Sequence, residues 1–314
     1  MIFSCGEVIA DLIEVENNEF KFCVGGAPLN LAYVINKLDG NVIFVGNVGD
    51  DALGREIIEF VKKSRMQVEL ISVDKNRNTS MSFVKNSKNG ERTFTFARKN
   101  GADYNIPLST ISYIERADIV HIGSLLFSTK EGRKYTIKLI RKAKRMKKIV
   151  SIDVNFRSEL FDSIEDAKRI YANFLSKADI IKVTSDEIKI LSGNNDIYKY
   201  LKSFVKHNQK IFVTSGSDGS FLYYDNVFYK EPSIKVDAVD TTGAGDAFYG
   251  CILNEVDNSG YDNFFKNERL IRRALKKANI CGAYSTLKKG ALSNILTKYE
   301  LESICKKFDD VKND

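Results

Sequence analysis

The chain has 314 residues, 43% of them hydrophobic, with 48 Lys and Arg against 41 Asp and Glu and a net charge of +7. That length can bury a sizeable core, and no run of about 18 apolar residues is present to span a membrane. Five scattered cysteines without a Cys-x-x-Cys pair exclude a disulfide or zinc framework. Met1-Ile-Phe-Ser-Cys-Gly6 also lacks a secretory pattern, so the expected location is cytoplasmic.

In chain order, residues 11–25 read as β structure with no intervening helix. The turn Gly25-Gly-Ala-Pro-Leu-Asn30 then opens a helix over 29–38, ended by Asp39-Gly40. A strand over 42–48 and a helix over 53–64 follow, and residues 78–103 form a second β segment without helix. In Arg92-Thr-Phe-Thr-Phe-Ala-Arg98 a period of two places Arg92, Phe94, Phe96 and Arg98 on one face. A plain hairpin would explain this, and so would a small β lid that carries Arg98 inward. From there strands (118–122, 148–154, 179–184, 210–214) alternate with helices (130–147, 164–176, 196–207), and a last helix spans 246–253. The strands are short and nearly continuous in apolarity, which predicts a mostly parallel sheet covered by helices on both faces.

The basic run Arg141-Lys-Ala-Lys-Arg-Met-Lys-Lys148 ends an amphipathic helix and has no aromatic residues between its charges. A solvated helix end explains it, and no nucleic-acid partner is expected. His121 lies in a buried strand pattern and His207 at a polar helix end; both read as structural.

Chemistry concentrates in Val239-Asp-Thr-Thr-Gly-Ala-Gly-Asp-Ala-Phe248. A Gly-Ala-Gly turn running into a helix aims backbone N–H groups and positive potential at one point, which suits a phosphoryl group in transfer. Asp246 at its mouth can orient an attacking hydroxyl and accept its proton. A capped helix start is the plainer reading of this turn alone. The stretch fails the dinucleotide glycine fingerprint, and Walker and protein-kinase motifs are absent. At the other end, Gly25-Gly26 lets backbone approach a ligand closely, and Asn30 offers both donor and acceptor. Asp11 could accept from sugar hydroxyls or serve a turn.

Together these motifs resemble the ribokinase-like (PfkB) carbohydrate kinases, and the fructokinases most among them. Gly25–Asn30 matches the N-terminal signature and Asp240–Phe248 the C-terminal one. Phe44-Val-Gly-Asn-Val-Gly-Asp-Asp51, Glu91-Arg-Thr-Phe-Thr-Phe96 and Ala278-Asn-Ile-Cys-Gly-Ala283 fall in family order. The resemblance implies a three-layer α/β/α fold over residues 1–314, with a β lid from about 11–25 and 78–103. It implies ATP as phosphoryl donor, Asp246 as base and Gly243, Ala244 and Gly245 as anion hole. It places Asp11, Gly26, Asn30, Arg98 and Asp103 at the sugar, and Thr184, Glu187, Thr214, Gly216, Gly219, Asn279, Gly282 and Ala283 around the nucleotide. Glu187 would hold magnesium through water, while Asp240, Thr242 and Gly290 would hold potassium. A homodimer through the lid is also implied. The expected reaction makes fructose 6-phosphate; 2-keto-3-deoxygluconate, ribose or a nucleoside are rival acceptors, and a silent sugar or nucleotide sensor is the rival class. Thr184, Ala97, Asn100 and Val154 depart from the family pattern, mostly on the sugar side.

Overall fold

A computed structural model describes residues 1–16, 19–66, 68–86, 92–193, 196–204 and 208–310. The chain opens with β1 (Ile2–Cys5), then β2 (Ile9–Glu16) and β3 (Glu19–Gly25), and returns through α1 (Ala27–Lys37) to β4 (Val42–Gly49). α2 (Ala52–Lys63), β5 (Val68–Asp74), β6 (Ser80–Asn86) and β7 (Arg92–Ala97) follow. Next come β8 (Ile119–Ile122), α3 (Lys130–Arg145), β9 (Ile149–Asp153), α4 (Ile164–Leu175) and β10 (Ile180–Thr184). The rest is α5 (Ser185–Ser192), α6 (Ile197–Phe204), β11 (Lys210–Thr214), β12 (Ser220–Tyr224), β13 (Val227–Glu231), α7 (Ala244–Ser259), α8 (Tyr261–Lys266), α9 (Glu268–Ser285) and α10 (Lys298–Asp310).

Among the described residues, nine strands form one sheet in the order β13-β12-β11-β10-β9-β8-β1-β4-β5. Every pairing from β11 to β5 is parallel, and β12 and β13 add an antiparallel edge. Alternate residues of each strand enter separate cores. Ile2, Val42, Phe44, Ile180 and Phe212 pack with α1, α7 and α9. Phe3, Ile43, Val45, Val150, Ile181 and Val213 pack with α3 and α4. Two-sided burial is why these strands read as unbroken Val/Ile runs. Each large side chain so buried contributes about 1.5–3 kcal/mol. The result is three layers, α/β/α.

β2, β3, β6 and β7 form a separate four-stranded sheet, ordered β3-β2-β6-β7. It is more than a hairpin: β2 pairs parallel with β6, and antiparallel partners flank both. One face carries Asp11, Cys23, Ser82, Phe94 and Phe96; the other carries Leu12, Phe20, Phe22, Met81 and Phe83.

The basic run is accounted for locally. Tyr135, Leu139, Ile140 and Ala143 bury one face of α3, while Lys142 and Lys144 pair with Glu115 (2.7 Å) and Asp179 (2.6 Å) near its C-terminus. The helix expected over 246–253 is longer, Ala244–Ser259, because Gly243 starts it two residues earlier and Asn254 and Val256 are still buried near its end. β5, β12, β13, α5 and α8 to α10 were not anticipated. His207, Glu91 and the end of the helix expected over 196–207 lie outside the described residues.

Candidate active site

The two glycine motifs meet at the C-terminal ends of the parallel strands, where open α/β sheets bind ligands. Gly26 is the N-cap of α1, at φ 114°; a Cβ there would lie 2.2 Å from the Glu7 carbonyl oxygen, so no other residue fits. From the first turn of α1, Asn30 (4% exposed) donates through Nδ2 to Asp246 Oδ2 at 2.8 Å across 216 residues. Gly243 caps α7 in the left-handed region at φ 79°, and a Cβ would meet Ala291 Cβ at 2.7 Å. Asp246 therefore stands in the first turn of α7, beside free helix N–H groups.

The carboxylates here titrate abnormally. Burial raises the pKa of Asp246, although the Asn30 hydrogen bond and the Lys182 and Arg157 charges oppose it. Burial pushes Asp11 up to about 6, with Asp246 adding repulsion and a 2.5 Å hydrogen bond from Ser82 Oγ pulling the other way. Arg98 and Asp103 form a buried ion pair at 2.5 Å. Arg98 also donates to Ser128 Oγ at 3.1 Å. Asp103 is fully buried and takes a further hydrogen bond from Ser80 Oγ, so its oxygens serve the frame of the lid.

Of the residues expected around the nucleotide, Thr184 and Thr214 are register partners at adjacent strand ends. Glu187 closes a capping box with Thr184: its Oε2 accepts from Thr184 N at 2.8 Å and its Oε1 from Phe156 N at 2.7 Å. Gly216 and Gly219 bracket a tight turn after β11, closed by Ser215 N donating to Gly219 O. Asn279 Nδ2 donates to the Glu231 and Pro232 carbonyls at 3.0 and 3.1 Å, tying down the segment after β13. Gly282, next to Ala283, lets α9 approach α7 closely: a Cβ there would lie 3.2 Å from Ala244 O. Behind the turn, Asp240 accepts from Thr242 N at 2.6 Å and from Gly290 N at 2.8 Å.

Residues 1–298 match the profile described as pfkB family carbohydrate kinase. The chain belongs to that family. It is 33% identical over 317 residues to probable fructokinase-2 of Arabidopsis thaliana, covering 98% of this chain and 96% of the relative. A fructokinase from Vibrio cholerae O395, solved with fructose, ADP and calcium ion, superposes with TM-score 0.88 at 29% identity over 96% of this chain and 97% of that one. A fructokinase from Xylella fastidiosa, solved with bound ATP, gives 0.90 at 26% identity over 98% of each.

In this PfkB kinase three charged residues stand at the site that sequence reasoning left without a role. Lys182 on β10 is 4% exposed and lies 3.1 Å from both carboxylate oxygens of Asp153 on β9. Its Nζ is 2.7 Å from where a Gly245 Cβ would be, directly under the glycine turn. Burial opposes its charge, but Asp153, Glu187 and Asp246 outweigh that, so Lys182 keeps its proton. A charged residue inside each of two apolar strands was the available signal. Arg157, in Ile152-Asp-Val-Asn-Phe-Arg157, is close enough for its charge to act on both Asp11 and Asp246. His121 is a core residue: burial and Lys182 push its pKa down to about 3, and Nδ1 meets Ser151 Oγ at 3.1 Å.

Proposed function

We propose that this protein transfers the γ-phosphoryl group of ATP to the 6-hydroxyl of fructose, giving fructose 6-phosphate and ADP. The hydrogen bond from Asn30 to Asp246 carries the reading, because it joins the double-glycine turn at Gly25–Asn30 to the glycine turn at Gly243–Gly245 that opens α7. Asp246 accepts the hydroxyl proton as that oxygen bonds to phosphorus, and the bond to the bridging oxygen of ADP breaks. The raised pKa suits a base held off water. The N–H groups of Gly243 and Gly245, with that of Ala244 first released from its 3.3 Å hydrogen bond to Thr241 O and the ammonium of Lys182 beneath, stabilise the charge that develops on the phosphoryl oxygens. Asp11, Gly26 and Asn30 bind the sugar, with Arg98 held toward it by Asp103.

The nucleotide lies along Thr184, Thr214, Gly216, Gly219, Asn279, Gly282 and Ala283. Among the described residues no cluster of three or more His, Cys, Asp or Glu is arranged to grip a metal directly. With both its oxygens already accepting backbone N–H groups, Glu187 fits magnesium held through water, which would screen the phosphate charges. Thr242 Oγ1 is buried without a hydrogen-bond partner beside Asp240. That orphaned oxygen, with Asp240 and the Gly290 backbone, fits a potassium site behind the anion hole.

The four-stranded sheet acts as the lid over the sugar within one kinase unit. The face away from Asp11, where Leu12, Phe20 and Phe83 are only half-buried while Phe22 and Met81 pack on the main core, seats a second copy of the chain; a monomeric mass by light scattering would contradict that. Among the described residues no helix is long and apolar enough to cross a membrane. The free cysteines fit a reducing compartment, and the cytoplasm is the location this reading assigns.

ADP release measured across fructose, 2-keto-3-deoxygluconate, ribose and a nucleoside tests the reading. Fructose is expected to give the highest kcat/KM. Preference for another acceptor overturns the assignment to fructose, and ATP binding without ADP release from any acceptor overturns the kinase reading in favour of a sensor.

A further inference from the structure

The four-stranded sheet touches the body of the enzyme through a contact that the reaction scheme leaves unused. β7 places Phe94 and Phe96 on the face that also carries Asp11 and Ser82. Their rings are stacked, with centroids 6.2 Å apart and planes at 14°. The guanidinium carbon of Arg157 lies 5.4 Å from the Phe94 centroid, within range of a cation–π attraction.

Arg157 belongs to the other side of the cleft. It follows β9, and its Nη1 donates to the Phe156 carbonyl at 2.9 Å. Phe156 N in turn donates to Glu187, so the segment is anchored to the nucleotide side. Among the described residues Arg157 makes no ion pair, yet its charge reaches Asp11 on the lid and Asp246 on α7. A half-buried arginine whose charge is felt by two carboxylates, but which forms no salt bridge among the described residues, is a cation open to a ligand. Its side chain has many rotamers, and the aromatic face that fixes it, Phe94, comes from the lid.

We propose that Phe94 is a positioning residue, whose ring holds the Arg157 guanidinium toward the gap between Asp11 and Asp246. Seating the lid and presenting this cation to the transferred phosphoryl group then become one event. The inference rests on the kinase reading above, since it needs a phosphoryl group for the cation to meet. Leucine or methionine at 94 would keep the apolar packing but remove the negative ring face; tyrosine would keep it.

The test is a double-mutant cycle of Phe94→Leu and Arg157→Gln, with Phe94→Tyr and Phe94→Met as further variants. Readouts are kcat, KM for ATP and KM for the acceptor. Phe94→Leu and Phe94→Met are expected to lower kcat roughly tenfold, about 1.4 kcal/mol, with both KM values within about twofold. Phe94→Tyr should stay within about twofold of the parent. In the Arg157→Gln background, Phe94→Leu should cost no more than about twofold further. The idea is overturned by the same tenfold loss in that background, by a Tyr variant as impaired as Leu, or by a loss confined to the acceptor KM, which would make Phe94 a pocket wall. If Phe94→Leu does not fold, Phe94→Met and Phe94→Tyr decide by the same criteria. A parent that releases no ADP with any acceptor sinks the kinase reading and this inference together; an active parent with an additive cycle sinks only this one.

Discussion

Replacing Glu7 by Gln should make the protein more resistant to alkaline conditions. Glu7 is 1% exposed, and neither carboxylate oxygen has a hydrogen-bond partner in another residue. It packs against Gly123, where a Cβ would lie 2.3 Å from Oε2. Burial pushes its pKa from 4.5 to about 8; its own backbone N–H and Arg98 oppose this, and Asp103 and Asp246 reinforce it. The folded state thus keeps a proton that the unfolded chain has released. The stability this contributes is fully present below pH 4.5 and is lost as pH rises through about 8. At about 1.4 kcal/mol per pH unit between the two values, the loss comes to roughly 3–5 kcal/mol. The glutamine variant has no proton to lose there. Urea unfolding of both proteins at about pH 5 and about pH 8.5 measures the effect, because titrations common to both cancel in the difference. The variant should gain about 3 kcal/mol or more on the parent over that interval. Parallel stability curves would refute the reasoning, and would mean that Glu7 is already ionised in the native state with a partner.

The glycine turn should tolerate no side chain. Gly243→Ala, at φ 79° and 2.7 Å from Ala291, is expected to lower turnover at least about 100-fold, as loss of an oxyanion donor does, with the variant still folded by circular dichroism. Lys182→Met leaves Asp153 as a buried, unpaired carboxylate and should cost about 3–5 kcal/mol in denaturant unfolding. Adding Asp153→Asn should restore much of that stability without restoring turnover, which separates the structural role from the electrostatic one. The pH profile of kcat/KM should fall on the acid side near pH 6, because Asp11 takes up a proton at about 6; burial raises Asp246 in the same direction. An acid limb at an ordinary carboxylate pKa near 4 would contradict that assignment.

What could be read from the sequence divides by the range of the forces involved. Strands such as β4 and β9 were visible because burial on both faces demands unbroken apolarity, and helix starts were marked by local turn chemistry at Gly26 and Gly243. That Asn30 meets Asp246 follows from topology, and the motifs reached it only through family resemblance. The ion pair of Lys182 and Asp153 was half legible: two charges inside apolar strands need partners, but which partner depends on the strand order β10-β9. Asp103 was placed at the sugar by its motif, yet its oxygens turn to Arg98 and Ser80. The parallel pairing of β2 with β6 joins segments about 70 residues apart, beyond any local signal.

In the proposed reaction Asp246 takes the proton of the acceptor hydroxyl. The decisive measurement is turnover of Asp246→Asn alongside calorimetric ATP binding. Turnover should fall by about 100-fold or more while nucleotide affinity is unchanged; turnover close to that of the parent would show that another group is the base.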